Sequence, residues 1–217
     1  MRKLTSEFIG TFLLALAIVG AGAMATTISQ DGALRLLINA LAAAGTLALI
    51  INAFGSISGG HFNPAVTVVF LSKKEISISD GLSYIAAQIL GGIAGVITAN
   101  YFFDLSLIAS KSGSMPGTTA IVSEVFSTAG LLFVIRHLIN IEKAQFIPVG
   151  VALWIFTGYF FTPTSVVANP AMSIARAFTD SYSGITPAAV LGLLERRCLA
   201  DCLVALLHRD SRRNKNV

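Results

Sequence analysis

The most distinctive chemistry in this chain sits in two copies of one triplet, Asn63-Pro64-Ala65 and Asn169-Pro170-Ala171. Each is followed by an apolar, a hydroxyl and a β-branched residue: Val66-Thr67-Val68 and Met172-Ser173-Ile174. Proline suits the first turn of a helix, where its missing N–H would have no partner anyway. Asparagine just before it is a good N-cap. Each triplet therefore predicts a helix start. These groups are not nucleophiles. They are amide donors at the positive ends of helices, suited to recognising a solute that forms hydrogen bonds. Two carboxylates are paired in the same way, Glu7 in Ser6-Glu7-Phe8 and Glu124 in Ser123-Glu124-Val125. The chain has no Gly-x-Ser-x-Gly, His-Glu-x-x-His or phosphate loop. No enzyme, cofactor or metal site is expected.

The elements that must position these residues are membrane spans. Of 217 residues, 54% are hydrophobic and 12% charged, and the mean hydropathy is +0.77. A soluble domain carries about 25% charged residues. Half that share excludes an ordinary cytosolic enzyme, a disordered chain and a nucleic-acid-binding module. A span needs about 20 mostly apolar residues. Five segments qualify, roughly 7–27, 33–55, 81–103, 118–140 and 146–162. A sixth, 186–207, is apolar at its ends but holds Glu195, Arg196, Arg197 and Asp201. Cys198 and Cys202 lie in it and read as membrane-buried thiols. Two apolar stretches, 62–71 and 167–178, are too short to span.

Arg2 and Lys3 before an apolar run have the form of a secretion signal, but the run is long and holds Glu7, so an uncleaved first span is expected. Arg2, Lys3, Lys73, Lys74, Arg136, Lys143 and the cluster Arg209, Arg212, Arg213 and Lys215 fall on one side of the bilayer if the spans alternate. By the positive-inside rule both termini are cytoplasmic, in an inner membrane. The net charge of +4 thus reads as orientation.

Three spans separate the matching halves, so the halves run in opposite senses. The expected architecture is one all-α membrane channel domain over 1–217, an inverted repeat of about 5–103 and 118–207. Sites in such repeats lie near the midplane. Each Asn-Pro-Ala helix would cover half the bilayer. Two entering from opposite faces meet with N-termini together and make a positive midpoint, where Asn63 and Asn169 offer donors. Glu7 and Glu124 are expected to accept N–H groups from the irregular loop of each half. Gly91 and Gly95 form a small-xxx-small packing face. His61 reads either as a pore contact or as a hydrogen-bonded packing residue, and Trp154 as packing.

These residues resemble the aquaporin (major intrinsic protein) family across about 5–185. The resemblance rests on Ser6-Glu7-Phe8-Ile9-Gly10-Thr11, Ile57 to Thr67 with its Gly59-Gly60-His61-Phe62-Asn63-Pro64-Ala65 core, Ala87-Gln88, and Asn169-Pro170-Ala171. It implies a bundle of six transmembrane helices plus two re-entrant half-helices, assembled as a homotetramer with one pore per subunit. It also implies passive conduction of water or small neutral solutes, with protons excluded. The family's second constriction maps by spacing onto Ala43, Thr157, Val166 and Met172. The family usually has arginine where Met172 stands, and water-selective members tend to have histidine where Thr157 is placed. The aspartate that glycerol facilitators carry soon after that arginine is also missing. A thioether and a methyl in these places imply a wider, more apolar constriction that favours larger uncharged solutes. Arg176, one turn on, either replaces the arginine in part or sits at the interface near Asp180. The stretch from Asn169 to Asp180 is similar to a bacterial branch with members linked to arsenic efflux, so neutral arsenous acid joins glycerol-like polyols as an expected solute. The charged sixth span raises two further readings, a shifted reading frame near Ala188 and a non-conducting member of the fold.

Overall fold

The computed structural model describes residues 1–190. Among them the helices are α1 (Arg2–Ile28), α2 (Gly32–Ser58), α3 (Pro64–Ser72), α4 (Ile78–Phe102), α5 (Thr118–Asn140), α6 (Ile147–Phe161) and α7 (Pro170–Ala175). A 3₁₀ turn, Ala144–Phe146, leads into α6, and another, Arg176–Phe178, continues α7. Helices α1, α2, α4, α5 and the stretch Ala144–Phe161 are long and apolar enough to cross a membrane. They match the five expected spans. The two short apolar stretches fold as α3 and α7, each opening at its proline. Of the expected sixth span, the described part is a helical turn from Pro187, capped by Thr186 Oγ1, which accepts from Ala189 N at 3.1 Å. The rest of 186–207, with its charges and both cysteines, lies outside the described residues, and so does most of what a frame shift near Ala188 would alter.

Local chemistry sets the helix ends. Asp31 caps α2 by accepting from Leu34 N at 2.7 Å, and Ser77 caps α4 by accepting from Asp80 N at 3.0 Å. Gly59 ends α2 at φ +91°, and Gly60 follows at φ +65°. This left-handed pair, cheap only for glycine, turns the chain toward α3.

Packing is closest where side chains are smallest. α1 lies against α4 and α2, α2 against α6, and α5 against α6. A Cβ built on Gly91 would stand 2.3 Å from the Phe8 carbonyl oxygen, and one on Gly95 would stand 2.3 Å from that of Phe12. The two glycines therefore let the α1 and α4 backbones touch. Between α5 and α6 the indole of Trp154 fills the space beside Gly130, where a Cβ would stand 2.0 Å from the ring. Its Nε1 donates to the Ser127 carbonyl at 2.9 Å. Arg136 ties α5 to the turn after α3 through an ion pair with Glu75 at 2.8 Å, and its guanidinium lies 5.5 Å from the Phe70 ring centre.

The distribution of polarity is inverted relative to a soluble protein. Glu7 and Gln88 are 0% exposed, whereas Leu49 is 65% and Leu90 61% exposed. Buried polar groups around an interior path and apolar groups outside suit a lipid surround.

Candidate functional site

The two Asn-Pro-Ala triplets meet. Asn63 Oδ1 caps α3 by accepting from Ala65 N at 2.9 Å, and Asn169 Oδ1 caps α7 by accepting from Ala171 N at 3.0 Å. The amide nitrogens then cross over. Asn63 Nδ2 donates to the Ala168 carbonyl at 2.9 Å, and Asn169 Nδ2 donates to the Phe62 carbonyl at 2.9 Å. An amide carries two protons, so each asparagine keeps one after this exchange. Both asparagines line the interior cavity. The carbonyls they reach belong to residues in the left-handed region, Phe62 at φ +46° and Ala168 at φ +38°. Such a conformation costs a non-glycine residue about 1–2 kcal/mol, so something must hold it.

Glu7 and Glu124 do so. Glu7 Oε2 accepts from Phe62 N at 2.7 Å, and its Oε1 accepts from His61 N at 3.0 Å and Ser58 Oγ at 2.6 Å. Gln88 Nε2 adds a fourth bond at 2.7 Å. Glu124 repeats the pattern in the other half. It accepts from Ala168 N at 2.8 Å, from Val167 N at 3.0 Å and from the Thr164 hydroxyl. Ser58 and Thr164, His61 and Val167, and Phe62 and Ala168 therefore correspond across the repeat. Carboxylates so engaged fix loops; no proton acceptor of theirs is left facing the cavity.

The cavity has a volume of about 450 Å³. On α6 its lining runs from Gln145, just before the helix, to Tyr159 near its end, which is about 20 Å of helical rise. One wall is the turned backbone of Gly59 to Asn63 and Val166 to Asn169; the other is apolar, with Leu14, Leu47, Leu131 and Ile155 among its residues. His61 satisfies both expectations placed on it, since it lines the cavity and its Nδ1 pairs with Thr67 Oγ1 at 3.1 Å.

Three of the four residues expected at the second constriction, Ala43, Val166 and Met172, line the cavity. Thr157 does not. Its side chain is exposed on the outer face of α6 and bonds back to the Leu153 carbonyl at 2.8 Å. Val151, Ile155 and Tyr159 are the α6 residues on the cavity side. Successive helical residues turn by about 100°, so position 157 points about 200° away from both 155 and 159. The assignment of Thr157 is corrected to the Tyr159 register. Arg176 also lines the cavity, and its Nε donates to the Ser183 carbonyl at 2.5 Å.

Set beside known proteins, residues 1–184 match the model of the family described as Major intrinsic protein. The chain belongs to this family. It is a membrane channel for water and small solutes, not an enzyme. It is 36% identical over 207 residues to aquaglyceroporin AqpS of Rhizobium meliloti, covering 95% of this chain and 88% of that protein. It is 34% identical over 198 residues to glycerol uptake facilitator protein-like 6 of Lactiplantibacillus plantarum, covering 86% of this chain and 88% of that protein. Among solved structures, the aquaglyceroporin from Plasmodium falciparum superposes with a TM-score of 0.72 at 22% identity, covering 95% of this chain and 92% of that one. That likeness concerns the fold of the channel.

Proposed function

We propose that this channel passively conducts water and uncharged solutes of glycerol size, with arsenous acid among them, and excludes ions and protons. The observation that carries this reading is the cavity along α6, polar on one wall and apolar on the other, which runs past the junction of the two asparagines. A polyol presents hydroxyls on one edge and carbon on the other. It can bond to turned carbonyls and asparagine donors while its carbon edge rests on leucine and isoleucine. An ion gains too little there to replace its hydration shell, and the facing helix N-termini repel cations.

The constriction is assigned to Ala43, Val166 and Met172, with Tyr159 on the α6 side. Small or apolar groups at three of these positions favour width over strict water selectivity. The names of the two relatives, an aquaglyceroporin and a glycerol uptake facilitator-like protein, support the same solute class. A homotetramer in the inner membrane with both termini cytoplasmic completes the proposal. It rests on the family resemblance and on the bias of Arg2, Lys3, Lys73, Lys74 and Lys143 toward one side. The alternative, a non-conducting member of the fold, is not favoured by the continuous lining of the cavity.

Stopped-flow light scattering on proteoliposomes tests this, with water, glycerol and arsenous acid compared against empty liposomes. Glycerol flux above the empty control supports the proposal. Water flux without glycerol flux overturns the solute assignment, and no flux from correctly inserted protein overturns conduction.

A further inference from the structure

Arg176 follows Met172 by four residues, on the same side of the α7 segment and one turn farther from the asparagine junction. Among the described residues that line the cavity it is the only side chain with a permanent charge. The position directly after the motif supplies none, and Met172 turns toward α4. Its terminal methyl would stand 3.2 Å from a Cβ built on Gly92.

The guanidinium is held by a frame drawn from several elements. Its Nε donates to the Ser183 carbonyl, and the Arg176 carbonyl accepts from Ile185 N at 3.0 Å. Ser183 Oγ donates to the Ile18 carbonyl at 3.0 Å and accepts from Asn39 Nδ2 at 2.8 Å. Asn39 Oδ1 accepts from the Tyr159 hydroxyl at 3.1 Å. Ser183 fits because Gly22 has no side chain, since a Cβ there would stand 2.1 Å from its Oγ. Residues of α1, α2 and α6 thus converge on the loop that fixes Arg176. A long cationic side chain with this much support beside the cavity is a fixed charge, not a solvated tail.

We propose that Arg176 is an outer charge barrier of this channel, standing one turn outside the apolar ring at Met172 and ahead of the helix N-termini at the junction, so that this step of cation exclusion and the pore width are set by separate residues. Neutral polyols pass the wide ring, and cations are turned back before they reach it. This inference rests on the conduction proposed above.

The test uses the full chain in proteoliposomes. Arg176→Gln and Arg176→Lys are compared with wild type for water flux, glycerol flux and leak of protons and methylammonium. A unit charge within about 6 Å of a passing cation changes its passage by about tenfold or more at near-surface screening. Cation leak is therefore expected to rise about tenfold in Arg176→Gln and to stay near the wild-type level in Arg176→Lys. Adding Met172→Arg to Arg176→Gln should suppress the leak again, because a guanidinium then stands at the ring itself. If Arg176→Gln fails to insert, Arg176→Met takes its place. A neutral variant that conducts water without added cation leak overturns the proposal, and so does a lysine variant that leaks as much as the neutral one. Absence of all flux in the wild type would instead overturn conduction itself.

Discussion

At the scale of the residue, the site was most legible where one side chain does one local job. Asn63 and Asn169 cap helices because asparagine is a good N-cap and the proline after it suits a first helical turn. Glu7 and Glu124 had to find partners because they lie in apolar spans, and each finds the loop of its own half. What spacing did not reveal was which α6 residue faces the cavity. Spacing from the motifs places Thr157 there, but between α6 and Asn169 the chain passes through a loop that holds Ser165 and Val166 at φ +55° and +48°. A count through irregular backbone carries no rotational information, whereas the i, i+4 series Val151, Ile155, Tyr159 does. Two predictions belong here. Met172→Arg should lower glycerol permeability by about tenfold, equivalent to about 1.4 kcal/mol at the ring, and lower water permeability less; stopped-flow traces for both solutes check it, and equal losses would remove Met172 from the constriction. Glu124→Gln should turn an amide N–H₂ toward Val167 N–H or Ala168 N–H and leave a buried donor without an acceptor. We expect a loss of about 1–3 kcal/mol, read as a lower midpoint of thermal unfolding in detergent.

Elements were legible by length and punctuation. Each of the five spans that the apolar runs predict is a helix, and the two runs too short to cross start at their prolines. The run 167–178 looked like one half-helix, yet α7 proper ends at Ala175 and tightens into the 3₁₀ turn Arg176–Phe178, after which Thr179 is extended. Hydropathy cannot see that change, because two tethers make it: Ile185 N donates to the Arg176 carbonyl, and Arg176 Nε donates to the Ser183 carbonyl. That α4 packs closely on a neighbour is legible from Gly91 and Gly95; that the neighbour is α1 is not, and only the structure shows it. The closeness of this contact follows from what a Cβ would strike, namely the rigid backbone oxygens of Phe8 and Phe12 rather than a side chain able to move aside. Gly91→Ala should therefore force the two helices apart and cost about 1–3 kcal/mol, as overpacking does. Gly45, which has nothing within 4 Å of a built Cβ, is the comparison: Gly45→Ala should leave the unfolding midpoint at or above wild type, since alanine favours the helix. Equal midpoints for the two variants would show that the α1–α4 contact tolerates separation.

At the scale of the whole molecule, the inverted repeat decides what kind of transport is open to the chain. Its two halves hold the junction with the same devices: a carboxylate under each loop, an asparagine cap on each short helix and an amide crossing to the opposite carbonyl. A coupled transporter needs an ionisable group that faces the path and changes its bonding as the cargo moves. The carboxylates of this interior are Glu7 and Glu124 among the described residues, and both are spent on backbone N–H groups that would be orphaned if the carboxylate moved. Among the described residues no carboxylate is therefore placed to couple the path to an ion, and we expect flux to follow the solute's own gradient. Glycerol flux into proteoliposomes should accordingly be the same with a proton gradient of either sign, with none, and after an ionophore has collapsed the membrane potential. It should rise linearly with glycerol concentration well past the millimolar range, because the sites along the path are single hydrogen bonds rather than a closed pocket. Dependence on either gradient, or uphill accumulation, would overturn passive conduction and point to ionisable groups that change their bonding during transport, His61 on the cavity wall among them.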